Sequence, residues 1–333
     1  MEPKVVTIGG GTGHYEFLRA LRRLELEPTA LVSMADDGES SGEMRDKYGA
    51  LPPGDLLQCL TALTTLPREV VRHILRTRMT RGALGGHNIG NLVLTFAASH
   101  GGSFLDAVAE LEDILKVRGH VLPITVGQVR LHGVSERGVE VHGEARFDQL
   151  GKLLRPGDRI TRVWLDPNEP AVEEALEVIR RAQFLFLMPG DLWSSIAPVL
   201  LVQGVYEAIA ASRAQIIYTC NLVTTRGQTD NFTVVDFVTT LDHLLPRPVD
   251  TVLYHSHGID ADRSVRYAAK DQAYSVEFGD LSRLSGRKLL GSDYLAPGEL
   301  VRHNHAQLAL VLGILLGKLP PHSMQGAWQS AVG

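Results

Sequence analysis

Cysteine is scarce in this chain: its 333 residues include only Cys59 and Cys220, far apart and each in an apolar setting. Two isolated thiols cannot frame a disulfide scaffold and fit a reducing compartment, so the expected location is the cytoplasm. Long apolar runs are lacking too. The most apolar stretch, residues 308–316, is far too short to span a bilayer. The N-terminus passes straight into a strand-like run, so neither a signal peptide nor membrane insertion is expected. An excess of basic charge is also missing, because 33 Lys and Arg stand against 38 Asp and Glu for a net charge of −5. That leaves no general footprint for nucleic acid, and any anionic ligand must be held by local geometry. No stretch has linker composition and no repeat is visible, so residues 1–333 are expected to form a single α/β nucleotide-binding domain.

What the chain does have is glycine in one place. Gly9, Gly10, Gly11 and Gly13 follow the β-branched run Val5 to Ile8, and an amphipathic segment begins near His14. There Phe17, Leu18, Leu21 and Leu24 share a helical face, with Arg19, Arg22 and Arg23 mostly opposite. A strand feeding a glycine turn and then a helix offers backbone N–H groups and a positive helix end to a phosphate. A tight ligand-free turn is the alternative. Residues 29–34 supply the next strand, which completes the opening unit of a Rossmann-like, doubly wound, mostly parallel sheet. A plain dinucleotide dehydrogenase fits poorly, since the sixth position of Gly-x-Gly-x-x-Gly is His14.

The second strand ends in Asp36 and Asp37 rather than in one acid. Adjacent carboxylates suit a divalent cation with its waters, or a polar substrate group, and an Asx-type turn would use them equally well. Residues 51–55 form a rigid turn that makes Asp55 the expected N-cap of a helix over 56–64. Residues 68–81 are rich in Arg and His, which reads as a solvated helix face or as a basic lip over a phosphate cleft. A second glycine-rich helix start follows at 85–91. From its first turn His87, Asn88 and Asn91 could reach a cleft, and Gly90 would permit a close helix crossing.

A helix over 104–117 and a strand over 121–125 come next. From about 127 to 165 the pattern alternates around Ser135 to Gly138, predicting a small antiparallel β insertion at the edge of the sheet. Helical periodicity returns over 170–181, and Phe184 to Leu187 is a buried parallel strand by composition. Its loop, 188–196, carries Gly190, Ser194 and Ser195 and opens a helix running to Ala211. No Gly-x-Ser-x-Gly elbow is present, so the serines suit phosphate binding or capping rather than nucleophilic attack. Strand 215–219 leads into a polar loop, 220–230, suited to base or sugar recognition. After strand 251–254, His255 and His257 fall in an exposed turn without further metal ligands in view. An irregular C-terminal extension is expected over about 256–300, and Arg302 stands ready for a ligand phosphate or base at the start of the last helix.

Taken together these blocks resemble the CofD/YvcK family, and more closely its YvcK branch, the gluconeogenesis factors. The resemblance is carried by Ile8 to Gly13, Ala35 to Gly38 with Ser40 to Gly42, and Leu51 to Asp55. Gly86-His87 with Gly90 to Leu92, Pro189-Gly190 with Ser194 to Ile196, Cys220-Asn221 and Val301 to His303 extend it over nearly the whole chain. It implies a nucleotide cleft at the strand C-termini in which Gly10, Gly11, Thr12 and Gly13 hold a diphosphate, while Asn221 and Arg302 contact the nucleotide. In the YvcK branch the ligand is a UDP-sugar, notably UDP-N-acetylglucosamine, and the role ties carbon metabolism to cell-wall synthesis and cell shape. In the CofD branch a phospho-group moves from a guanosine diphosphate donor with a divalent cation on acids matching Asp36, Asp37 and Asp55. No reaction is assigned to the YvcK branch, so a binding regulator and a metal-dependent transferase both stand as readings. No cofactor is fixed, a magnesium ion at those acids being the one candidate, and a homodimer is left open. The chain departs from the YvcK pattern at His14 to Glu16, Glu39, Met188, Asp191, Trp193, Arg226 to Gln228 and Asn304.

Overall fold

The computed structural model describes residues 2–38, 51–82, 85–100 and 102–320. Its strands are β1 (Val5–Gly9), β2 (Thr29–Val32), β3 (His120–Pro123), β4 (Leu131–Ser135), β5 (Glu140–His142), β6 (Ile160–Leu165), β7 (Phe184–Leu187), β8 (Gln215–Thr219), β9 (Thr251–His255) and β10 (Lys288–Ser292). Seven of them make one sheet in the order β10-β9-β8-β7-β1-β2-β3, with every neighbouring pair parallel. Alternate residues of each strand feed two apolar layers. Val6, Ile8, Leu185, Leu187 and Ile216 enter one, and Val5, Phe186, Met188, Ile217 and Leu253 enter the other. Burial on both faces is why these segments read as unbroken apolar runs.

The chain winds outward from β1 through β2 to β3, then returns and winds the other way through β7, β8, β9 and β10. The reversal falls between β1 and β7, which pair directly, Ile8 opposite Leu187. In doubly wound sheets the ligand crevice opens at the C-terminal ends of the strands flanking such a reversal. Here those ends carry the glycine turn and the 188–196 loop.

Three expectations need correction. The antiparallel insertion is a separate three-stranded sheet, β5-β4-β6, and not an extension of the main sheet's edge. Its strands bury one face only, through Leu131, Val141 and Val163, with Phe147 of the following turn packed beneath them, so they lie against the core as a flap of their own. The helix expected to run from the 188–196 loop to Ala211 is broken. A π-helical turn, Leu192–Ile196, runs into Ala197–Leu200, and a second helix starts only at Val205. Gly204 between them is left-handed, φ +94°, a conformation that ends a helix at little cost only for glycine. Residues 256–300 are not irregular either. They contain the helix Ala261–Asp271 and the edge strand β10, whose apolar signal is just Leu289-Leu290 between Lys288 and Gly291.

Candidate functional site

The first helix, α1 (Gly11–Arg23), starts three residues earlier than its amphipathic pattern indicates, inside the glycine turn itself. Gly10 caps it in an extended conformation, and Gly11 has φ +65°. No acid occupies its first turn. Among the described residues the N–H groups of Thr12 and Gly13 have no acceptor, whereas that of Gly11 donates to Asp55 Oδ1 at 2.9 Å. Gly13 is required by proximity alone, and a side chain at Gly10 would have to push Asp55 aside. A Cβ on Gly13 would sit 1.9 Å from the Pro189 carbonyl oxygen, and one on Gly10 would sit 2.1 Å from Asp55 Oδ2.

This contact corrects the reading of Asp55 as a helix cap. The helix Gly54–Leu63 has Pro53 at its N-cap, and Asp55 lies in its first turn with its carboxylate turned onto the glycine turn. Under α1, His14 is fully buried, with Nε2 2.8 Å from Thr7 Oγ1 and Nδ1 3.7 Å from Cys59 Sγ. Burial lowers the His14 pKa to about 4, so the ring is neutral, with the Gly9 backbone opposing the shift only in part.

A cleft of about 340 Å³ opens above the β1/β7 reversal. Its floor is Gly10 to Gly13, one wall is Pro189 to Asp191 with Ser195, and the other is Asn221 to Val223 with Thr225. Val301, Arg302 and His303 close it from the start of the last helix, His305–Leu315. The two loop walls are tied together. Asn221 Nδ2 donates to the Gly190 carbonyl at 2.9 Å, and the Gly190 N–H donates to Asn221 Oδ1 at 3.2 Å. That pair leaves Asn221 one free N–H and one lone pair for a ligand. Thr225 Oγ1 donates to Asp191 Oδ1 at 2.7 Å. Loss of water raises the Asp191 pKa, and the Thr225 hydroxyl partly offsets the rise. Buried His303 donates its Nε2–H to the Cys220 carbonyl oxygen, 3.1 Å away, and burial holds its pKa near 4.

The other expected residues divide. Ser195 lines the cleft, but Ser194 is buried beside it. His87, Asn88 and Asn91 do not line it. His87 and Asn91 are buried, and Asn88 Oδ1 accepts the Asn91 N–H at 2.7 Å, the geometry of a cap on the helix Ile89–His100. Gly90 does serve a close crossing, since a Cβ there would lie 2.6 Å from Leu57 Cδ1. His255 is buried at the end of β9, where its Nδ1 accepts the Tyr294 N–H, and only His257 is exposed. Arg72, His73, Arg78 and Arg81 are absent from the cleft lining, and the expected Glu39 and Ser40 to Gly42 positions lie outside the described residues.

The three acids have different partners. Asp36 Oδ1 accepts the Gly38 N–H at 2.8 Å in an Asx turn, while Asp37 Oδ1 accepts the Ala145 N–H at 2.7 Å beyond the antiparallel sheet. Asp55 faces Gly11. Among the described residues no three His, Cys, Asp or Glu side chains form a group ready to hold a metal. What the sequence did not reveal is a wider acidic flank. Glu144 opens the 3₁₀ turn Glu144–Gln149, and its pKa rises to about 9 through burial and then the charges of Asp36, Asp148, Asp55 and Asp37. Asp148 is raised as well, by loss of water and by Asp191 and Asp36. Nothing local marks Glu144 as part of a site. It arrives there because Asp37 docks on the turn that follows β5.

The parallel sheet, the reversal at β1/β7 and the glycine-floored cleft define a Rossmann-like α/β protein. Residues 5–292 match the family described as 2-phospho-L-lactate transferase CofD, and the chain belongs to that family. It is 37% identical over 314 residues to the gluconeogenesis factor of Halalkalibacterium halodurans, covering 92% of this chain and 94% of that one. To the gluconeogenesis factor of Bacillus subtilis it is 34% identical over 324 residues, 95% of this chain and 98% of the relative. A crystal structure of a UPF0052-family protein from Bacillus halodurans superposes with a TM-score of 0.85 at 35% identity, covering 92% and 98% of the two chains. No helix among the described residues is long and apolar enough to cross a membrane.

Proposed function

We propose that the cleft binds a nucleotide diphosphate sugar of the UDP-N-acetylglucosamine kind, and that the protein acts as a gluconeogenesis factor by sensing that ligand. On this reading it links carbon supply to cell-wall synthesis and cell shape. The observation that carries the reading is the pair of unpaired N–H groups, Thr12 and Gly13, at the start of α1 and facing a cleft that Arg302 also lines. A diphosphate accepts from backbone donors at a helix N-terminus, and a guanidinium matches its oxygens in pairs. Gly190, Ser195 and Asn221 would steady the sugar and base. The protein would work in the cytoplasm, as one nucleotide-binding domain, with a homodimer compatible with the same site.

A second reading is supported by the acidic flank. Asp36, Asp37 and Asp55, with Glu144 beside them, could take a magnesium ion and serve a CofD-type transfer from a GDP-linked donor, in which positioning and charge neutralisation do most of the catalysis. Metal binding would then have to displace the proton that Glu144 retains near neutral pH. Thermal melts with UDP-N-acetylglucosamine, GDP and NAD, each with and without magnesium, separate the readings. A ligand at a hundred times its Kd should stabilise the protein by about 2.7 kcal/mol. A shift with UDP-N-acetylglucosamine that Arg302→Gln weakens supports the regulator. A shift that needs GDP together with magnesium, and that Asp36→Asn removes, overturns it in favour of the transferase.

A further inference from the structure

The far end of α1 carries a second cavity, about 410 Å³, whose lining is cationic. Arg19, Arg22 and Arg23 come from α1, Arg68 opens the helix Arg68–Arg76, Arg118 precedes β3, and His305 begins the last helix. The one acid in the lining is Glu25. Arg19 is engaged by Glu16 at 2.8 Å and has His305 Nε2 3.3 Å from its own Nη2. Arg118 lies 3.6 Å from Glu27 and 4.0 Å from Glu25. Arg22, Arg23 and Arg68 make no ion pair among the described residues. Yet acids outnumber bases in the chain as a whole.

Five guanidinium groups from three separate segments, gathered in one concavity and left short of partners, repel one another. The repulsion bears on Arg22 and on His305. The Arg22 pKa falls through partial burial and then through Arg68, Arg118 and Arg19. That of His305 falls through burial and Arg19, with Glu16 opposing and Arg23 and Arg68 adding to the fall. Such an arrangement costs free energy in the empty state and regains it when a multiply charged anion enters. Guanidinium forks match phosphate oxygens in pairs, and one phosphate cannot reach all five. The cavity has the volume of a small-molecule site, and a chain with a net charge of −5 lacks the general basic footprint of a nucleic-acid binder.

We propose that this pocket binds a small polyphosphorylated metabolite, at a site separate from the glycine cleft. The two are neighbours through one side chain. Glu16 lines the cleft and also contacts Arg19 and, at 3.3 Å, His305 Nδ1.

Calorimetric titration of the full chain with sodium pyrophosphate at 0.15 M salt tests the assignment. Binding is expected, with affinity falling at least about tenfold in Arg22→Gln/Arg68→Gln, each lost charge-assisted contact being worth about that factor. Should the double variant fold poorly, exposed Arg23→Gln takes its place with a loss of several-fold. Without anion, Arg22→Gln is expected to melt at or above the wild-type temperature, because it relieves repulsion. No pyrophosphate binding by the wild type would overturn the proposal. So would a loss that follows Arg302→Gln and leaves the arginine-pocket variants unaffected, since pyrophosphate would then be seated in the cleft. A melting temperature lowered in Arg22→Gln would assign the arginines a structural role instead.

Discussion

The two ends of α1 are built on opposite plans. At its start the chain offers the backbone N–H groups of Thr12 and Gly13, in a turn packed so closely that Gly13 has no room for a methyl group. At its finish the chain offers charge on long side chains around an open cavity, with three arginines unpaired among the described residues. A backbone cradle fixes direction and distance in a protein whose net charge would repel an anion. An arginine pocket supplies attraction and tolerates imprecise placement. The first should therefore be intolerant of small steric changes and indifferent to salt, and the second the reverse.

The strongest way to break this contrast is Gly13→Ala. The new Cβ meets a backbone carbonyl, which cannot swing aside, so a loss of about 3 kcal/mol is expected in urea unfolding, together with loss of any cleft ligand. If the variant is as stable as the wild type, the turn is looser than its contacts imply.

Acid should expose the same difference. His14 and His303 have folded pKa values near 4, below an unfolded value of about 6.5, so the unfolded state binds more protons between those limits. Their stabilisation is complete above pH 6.5 and is lost as pH falls toward 4, by about 3 kcal/mol for each. Glu144 has the opposite sign. Its folded pKa near 9 lies above the ordinary value of 4.5, so its contribution is present at low pH and declines as pH rises from 4.5 to 9. The two histidines outweigh Glu144 below pH 6.5, so the contribution of these three groups should climb to about pH 6.5 and then decline, and Glu144→Gln should make the alkaline decline shallower. Chemical denaturation at pH 5, 6.5 and 8.5 reads both limbs.

A smaller effect is expected from Asp55→Ala, which leaves the Gly11 N–H without its acceptor and removes a carboxylate from Glu144's surroundings. About 1–3 kcal/mol of stability should go, and the Glu144 pKa should fall, as carboxyl NMR titration would show. Unchanged stability would mean that water replaces Asp55 at Gly11.

The sheet was legible because its strands are buried on both faces and carry unbroken apolar runs: Phe184 to Leu187 and Gln215 to Thr219 were read to the residue. The glycine turn, the 188–196 loop, Asn221 and Arg302 were legible as cleft parts because each stands at a strand end or a helix start. What escaped depended on partners far along the chain. Asp55 has the local look of a cap, and only the approach of Gly11, forty-four positions away, gives its carboxylate other work. Glu144 and Asp148 reach the acidic flank through a separate sheet whose placement no local pattern encodes. β10 was missed because an edge strand with two leucines carries too little periodicity to read. His87 and Asn91 were misplaced because polarity in a glycine-rich segment says nothing about which way a side chain faces.

Cys59 and Cys220 are both buried and unpaired, one in each apolar layer of the sheet. Burial raises both thiol pKa values, that of Cys220 to about 12, so neither reacts while its layer is closed. A thiol-reactive dye would thus find the molecule already fitted with two clocks. If the layers open together the labels arrive in step, and if one opens first its cysteine alone records the event.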